Sequence, residues 1–220
     1  MKKKLYIIII TCFLLITAMF ILLCDLNNYN YGVKTTNHTN SGIVLSITTF
    51  DGKNESKLFT KSMGHSWISI DNNLNKAITF NGYSINPNDI LTLSVYAIEK
   101  HYTIIYNLEP LFINDSNRYN GRISLSVNIS KDDLQKIEEF TSINKGWELF
   151  KNCSYFSIHL WNSVVGQEYK LKSQTLIYTP TRLKKSIKEY DNFITNKDFS
   201  KSLLPFIIVN GERKVVEICE

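Results

Sequence analysis

The sequence predicts an α+β domain in which an antiparallel sheet packs against a helix that bears a cysteine, preceded by one N-terminal transmembrane helix. Three observations predict it. Leu5 to Cys24 is an apolar run without a charge, apolar residues alternate with period two through much of residues 42 to 130, and helical spacing takes over from Ser130. The chain is accordingly divided into an anchor (1–24), a tether (25–41) and a domain (42–220).

Met1 to Lys4 is basic, and the run that follows is long enough to span a hydrocarbon core. Small residues suited to cleavage or to lipid attachment at Cys24 are missing, because Ile16 stands two places before Ala18 and Leu22-Leu23 precede Cys24. The expectation is a single-pass protein of the cell membrane, basic end inside and domain extracytoplasmic, with a secreted chain or a lipoprotein as the alternatives. Asp25 to Ser41 is rich in Asn, Thr and Tyr without apolar periodicity, as a tether requires.

From Gly42, Ile43, Leu45 and Ile47 alternate in a first strand that runs to the Asp51-Gly52 turn signal. Ser66 to Asp71 and Lys76 to Tyr83 read as a hairpin around Asn72 to Asn75. Leu91 to Ala97 and His101 to Asn107 are β-branched and aromatic, and Ile123, Leu125, Val127 and Ile129 alternate strictly. Ser130 and Asp133 offer a capping box for a helix carrying Leu134, Ile137 and Phe140, which ends near Asn144 to Gly146. Asn152 is a good N-cap type for a second helix that Gly166 terminates, with Cys153, Phe156, Ser157, Leu160 and Val164 on one face. A third helix is expected from about Thr181 to Asn192, opened by Thr179-Pro180, and late strands flank Asn210-Gly211.

The net charge of +5 includes Lys2, Lys3 and Lys4, so the domain is close to neutral. No basic stripe with interleaved aromatics points to nucleic acid. Of the four cysteines, Cys12 and Cys24 lie in the apolar run, which leaves at most a Cys153–Cys219 bridge. No CxxC pair or His-x-x-x-His spacing suggests a zinc site, and no metal or other cofactor is implied. Asn-x-Ser/Thr sequons stand at Asn37, Asn54, Asn114, Asn128 and Asn152. A glycan on Asn152 would crowd Cys153, so glycosylation there and thiol chemistry exclude each other.

A cysteine at a helix start lies beside unpaired N–H groups and the positive end of the helix dipole, which favour its thiolate. The competing reading is a small buried hydrophobe. A nucleophilic cysteine needs a base, normally a histidine. His38 falls in the tether, and His101 follows Glu99-Lys100 as a surface residue would. His159 lies about 600° around the helix from Cys153, on the far side. His65 remains, opening a strand after Gly64, a residue that permits close backbone approach. It shares its strand face with Trp67 and Ser69.

Gly-His-Ser-Trp-Ile-Ser-Ile (64–70), followed far downstream by Asn-Cys-Ser-Tyr-Phe-Ser-Ile-His-Leu-Trp-Asn (152–162), resembles the circularly permuted branch of the NlpC-type, papain-like cysteine hydrolase superfamily. That branch includes lecithin retinol acyltransferase-like proteins and related bacterial hydrolases. The likeness extends more loosely over residues 42 to about 192, including Thr179 to Ile187. It implies a permuted papain-like fold with Cys153 as nucleophile and His65 as base. Asn152 caps the cysteine helix. A third polar residue from the next strand would orient the imidazole. If Asp71 pairs with Ala77 across the expected hairpin, His65 opposes Tyr83, and Asn81 is the orienting residue, with Thr79 as the fallback. Trp67, Tyr83 and Asn152 are the candidate substrate-binding residues, with core packing the competing reading for the aromatics.

The function expected is that of a cysteine hydrolase or acyltransferase acting through an acyl-thioenzyme on an amide or ester. Its partners would be the membrane and either a cell-wall (peptidoglycan) peptide or a lipid acyl substrate. A non-catalytic envelope binding or adaptor domain of the same fold, and a secreted effector or immunity-type protein, are the alternatives.

Overall fold

A computed structural model describes residues 41–52, 64–98, 101–116, 118–148, 150–172, 177–199 and 204–216. All lie in the second of two units of the chain, Val33–Glu220. The expected membrane anchor, nearly all of the tether, His38 and Cys219 fall outside the described residues.

The strands are β1 (Ile43–Phe50), β2 (His65–Asn72), β3 (Ile78–Phe80), β4 (Tyr83–Ile85), β5 (Ile90–Ile98), β6 (His101–Tyr106), β7 (Ile123–Asn128), β8 (Ile194–Thr195), β9 (Phe206–Val209) and β10 (Glu212–Val215). The helices are α1 (Leu108–Ser116), α2 (Lys131–Ile143), α3 (Cys153–Val164) and α4 (Pro180–Ile187). One eight-stranded sheet has the order β10-β9-β6-β5-β2-β1-β7-β8, and β3 with β4 makes a separate two-stranded sheet. Every pairing is antiparallel.

These features correct the expected fold class, a permuted papain-like domain preceded by a transmembrane helix. The described residues form a mostly antiparallel sheet with four helices, and no helix among them is long and apolar enough to cross a membrane.

Register explains the layering. Leu45 sits opposite Ile70 and Val127, and Ile47 opposite Ile68 and Leu125, while Ile68 and Ile70 face Leu93 and Leu91 on β5. Successive side chains alternate sides, so these residues form one buried apolar face, and α3 lies against it across β2, β5 and β1. Buried side chains of this size contribute about 1.5–3 kcal/mol each, which makes this face the main source of stability. The other face is partly polar. Ser46 pairs with Ser69 and Ser126, and Thr48 with Ser124, in hydroxyl bonds of 2.9 Å (Ser46–Ser126) and 2.8 Å (Thr48–Ser124). Lys197 closes over it, its Nζ 2.6 Å from both Ser46 Oγ and Asp71 Oδ2. Phe50, Trp67, Tyr119 and Phe199 complete that side as an aromatic cluster.

Three local expectations change. The hairpin joining Ser66–Asp71 to Lys76–Tyr83 does not form, and β2 pairs with β1 and β5 instead. Asn72 turns the chain away, its side chain donating to the carbonyls of Lys76 and Ile85. Asn81 and Gly82, with φ of 48° and 74°, make a tight turn between Phe80 and Tyr83. Helix α1 interrupts a region expected to be mostly sheet, and α4 ends at Ile187, so Tyr190 lies beyond it. Elsewhere local chemistry governs. The Ser130–Asp133 capping box opens α2, and Thr179 with Pro180 opens α4.

Candidate active site

Asn152 caps α3, its Oδ1 accepting from the N–H groups of Ser154 (3.0 Å) and Tyr155 (3.1 Å). Its Nδ2 donates to Tyr178 O at 3.0 Å, which pins the cap to the segment before α4. Cys153 is therefore the first helical residue, half-buried and not in a disulfide. Among the described residues, the Cys153 N–H has no hydrogen-bond acceptor, whereas those of Ser154, Tyr155 and Phe156 are all taken by Asn152.

The start of α3 abuts the start of β2, with Ser154 Oγ 3.0 Å from Ser66 Oγ. This sets the Cys153 sulfur beside the His65 ring, the Ser66 backbone and the Ser154 hydroxyl. Burial works against a charged sulfur here. The neighbouring His65 cation and these donors outweigh it and hold the thiol below its usual range. Gly64, at φ +75°, lets the chain enter β2 where an added Cβ would lie 2.5 Å from Phe50 O and 3.0 Å from Pro180.

His65 is 7 % exposed, stacked beside Trp67 (5.8 Å) and Tyr119 (5.8 Å), which also touch each other, and tilted against Tyr96 (4.6 Å). Its Nε2 lies 3.1 Å from Glu109 Oε1, which leaves Nδ1 for the sulfur. Burial alone would lower its pKa. The Cys153 thiolate and then Glu109 reverse that and raise it to about 9. Each charge thus favours the other, the thiolate by the imidazolium and the imidazolium by the thiolate.

Glu109, fully buried, is the third member of the site, and it was missed in the sequence. Asn107 adopts a left-handed φ of 58° and ties the turn after β6 to β5, donating its N–H to Thr92 O and accepting from Thr92 N. The chain then folds back over the sheet. Glu109 accepts from the Tyr96 hydroxyl and, at 2.5 Å, from Thr92 Oγ1. The available signal was a lone carboxylate inside the apolar run Ile104 to Ile113, since a buried acid needs partners.

No family model, curated protein or solved structure matches this chain. The site is therefore read from its own geometry.

The other proposed site residues lie elsewhere or act differently. Asn81 is not the orienting residue. It belongs to the β3–β4 turn, where its N–H donates to Glu138 and its Nδ2 to Thr141 (3.0 Å) and Tyr106 (3.4 Å). Thr79 sits in the same small sheet, opposite Ser84. The misassignment follows from the hairpin that does not form. Tyr83 packs at a tilt on Phe206 at 4.9 Å, with Arg213 over its ring at 5.4 Å, in that same region. Trp67 has no exposed surface and packs on Tyr119 and Phe199, so it backs His65 and lines no groove. Asn152 caps α3. His159 is buried on α3, 3.1 Å from the Tyr178 hydroxyl, and burial lowers its pKa to about 4. Among the described residues no group of His, Cys, Asp or Glu is arranged to hold a metal ion.

Proposed function

We propose that this chain is a cysteine hydrolase or acyltransferase working through an acyl-thioenzyme. The observation that carries the reading is the continuous contact from Cys153 to His65 to Glu109, a nucleophile, its base and a buried carboxylate that orients the base. A binding domain with no turnover has no need to bury Glu109 against the histidine, because a buried carboxylate is costly unless fully partnered.

The Cys153 thiolate attacks the carbonyl carbon of an amide or ester, and the electron pair moves onto the carbonyl oxygen. The N–H of Cys153, without an acceptor among the described residues, would donate to that charge from the helix start. On collapse the bond to the leaving amine or alcohol breaks, and His65 gives that group its proton from Nδ1. Neutral His65 then takes a proton from water, or from an acceptor alcohol or amine, as this attacks the thioester, and the acyl group leaves Cys153 as a thiolate. Glu109 keeps Nε2 occupied throughout, fixing which nitrogen faces the sulfur.

The test is covalent trapping on the full chain in detergent, with muropeptides and long-chain acyl esters as the two substrate arms. Mass spectrometry is expected to find an acyl adduct on Cys153 with one arm, absent in Cys153→Ala. Iodoacetamide is expected to label Cys153 much faster than Cys219 at neutral pH. Absence of adduct and turnover in both arms, with equal labelling of the two cysteines, would overturn the proposal.

A further inference from the structure

Thr49, Ser66 and Ser154 are fully buried hydroxyls that the proposed chemistry leaves unused. Thr49 and Ser66 face each other across the β1–β2 ladder with their oxygens 2.9 Å apart, and Ser66 reaches Ser154 at 3.0 Å. Ser154 follows Cys153 at the start of α3, with its hydroxyl beside the sulfur at one end of the row. At the other, Thr49 Oγ1 can donate to Pro180 O (3.2 Å) or to His65 O (3.3 Å).

Each hydroxyl carries one proton, so the row has only two self-consistent polarities. In the first, every proton points toward the sulfur, Thr49 to Ser66 to Ser154 to Cys153. The carbonyls of Pro180 and His65 then lose the Thr49 donor. In the second, every proton points away, Thr49 serves a carbonyl, and Ser154 offers the sulfur only a lone pair. The first suits a thiolate. The second suits a neutral thiol or a thioester, whose sulfur accepts hydrogen bonds poorly.

We propose that Thr49, Ser66 and Ser154 form a reversible hydroxyl chain whose polarity follows the charge on Cys153 and sets how readily its thiolate forms. The inference rests on the cysteine-nucleophile reading, although its readout needs no turnover. The carbonyl end competes with the sulfur for the chain, so removing that end favours the thiolate, and removing the sulfur end disfavours it.

Other charged groups around Cys153 are accounted for. His65 on β2 faces it directly, Tyr96 on β5 feels its charge, and Glu109 on α1 stands behind His65. Lys184 on α4 is bound to Asp51 and Gly121 O, Glu138 on α2 to Asn81, and Lys151 to Glu148 before α3.

The experiment is the pH profile of iodoacetamide labelling at Cys153 in the full chain, read on the Cys153 peptide by mass spectrometry. Thr49→Val and Ser66→Ala are expected to move the midpoint down, and Ser154→Ala up. Each shift should be about half a pH unit, less than one hydrogen bond's worth. Thr49→Ser and Ser154→Thr keep the hydroxyls and should stay at the wild-type midpoint. If Thr49→Val fails to fold, Ser66→Ala carries the same sign. The chain is overturned if the two ends shift the midpoint in the same direction, or if neither shifts it. Failure of substrate trapping with the opposite shifts intact would count against the enzyme reading alone.

Discussion

Glu109 holds a carboxylate oxygen 3.1 Å from His65 Nε2 across 44 residues of chain, and it is sealed there by Tyr96 and Thr92. Replacing it with glutamine keeps the shape but removes the charge, and the Thr92 hydroxyl can turn to accept from the new amide. We expect Glu109→Gln to lower kcat roughly 10²- to 10⁴-fold with little change in KM, and to lower the His65 titration midpoint from about 9. Steady-state kinetics and histidine NMR check the two together. Unchanged kcat would reduce Glu109 to a packing residue.

The ion pair sets a pH window. Activity should rise as Cys153 ionises below the usual thiol range and fall on the alkaline side near pH 9 as His65 loses its proton, with both limbs belonging to the coupled pair. The same group is linked to stability. The folded-state pKa of His65 lies above the 6.5 expected when unfolded, so protonated His65 stabilises the fold fully below about pH 6.5. That contribution disappears as pH rises through about 9. Thermal melting of wild type minus His65→Gln against pH should show the decline, and a difference that grows with alkalinity would contradict it.

Gly64 and Gly82 separate strain from crowding. Both have φ near +75°, but an added methyl meets nothing within 4 Å at Gly82 and strikes Phe50 O at 2.5 Å at Gly64. Gly82→Ala should cost about 1–2 kcal/mol and leave turnover alone. Gly64→Ala should cost more and displace His65, so melting temperature and kcat fall together.

Asn81→Ala tests the correction made to the third site residue. It deletes bonds to Thr141 and Tyr106 in the small sheet, so about 1–2 kcal/mol of stability should be lost while kcat/KM stays within twofold of wild type. A large kinetic defect would restore Asn81 to the site.

Lys197 and Asp71 form an ion pair whose side chains are each 12 % exposed. Leaving one charge unpartnered at such a site costs about 3–5 kcal/mol, so Lys197→Met alone should be strongly destabilising. The double change Lys197→Met with Asp71→Leu should recover part of the loss. Urea unfolding of the two single variants and the double measures the coupling, and additive losses would show that the pair is not coupled.

The parts of the site legible in the chain are those set by near neighbours. Asn152 caps α3 because its own side chain reaches N–H groups two and three residues on. The alternation in β2 puts His65 with Trp67, and the positive φ at Gly64 answers a contact that the glycine itself signals. Helix geometry excluded His159, and the structure places it in a buried pairing with Tyr178. By itself, then, the sequence determined the helix that begins at Cys153, the strand that opens on His65, and the capping and turn chemistry around them.

What only the tertiary structure decided is which strand lies beside which. Strands β2 and β3 are neighbours in sequence, yet β2 pairs with β1 and β5, because Asn72 spends its side chain on a turn and Asn81-Gly82 closes a separate hairpin. The partner of His65 therefore comes from the turn after β6, where left-handed Asn107 sends Glu109 back over the sheet. Local propensity cannot choose among strands of similar alternation. That choice is made by the buried faces and buried polar groups that each pairing satisfies, and both depend on residues far apart in the chain.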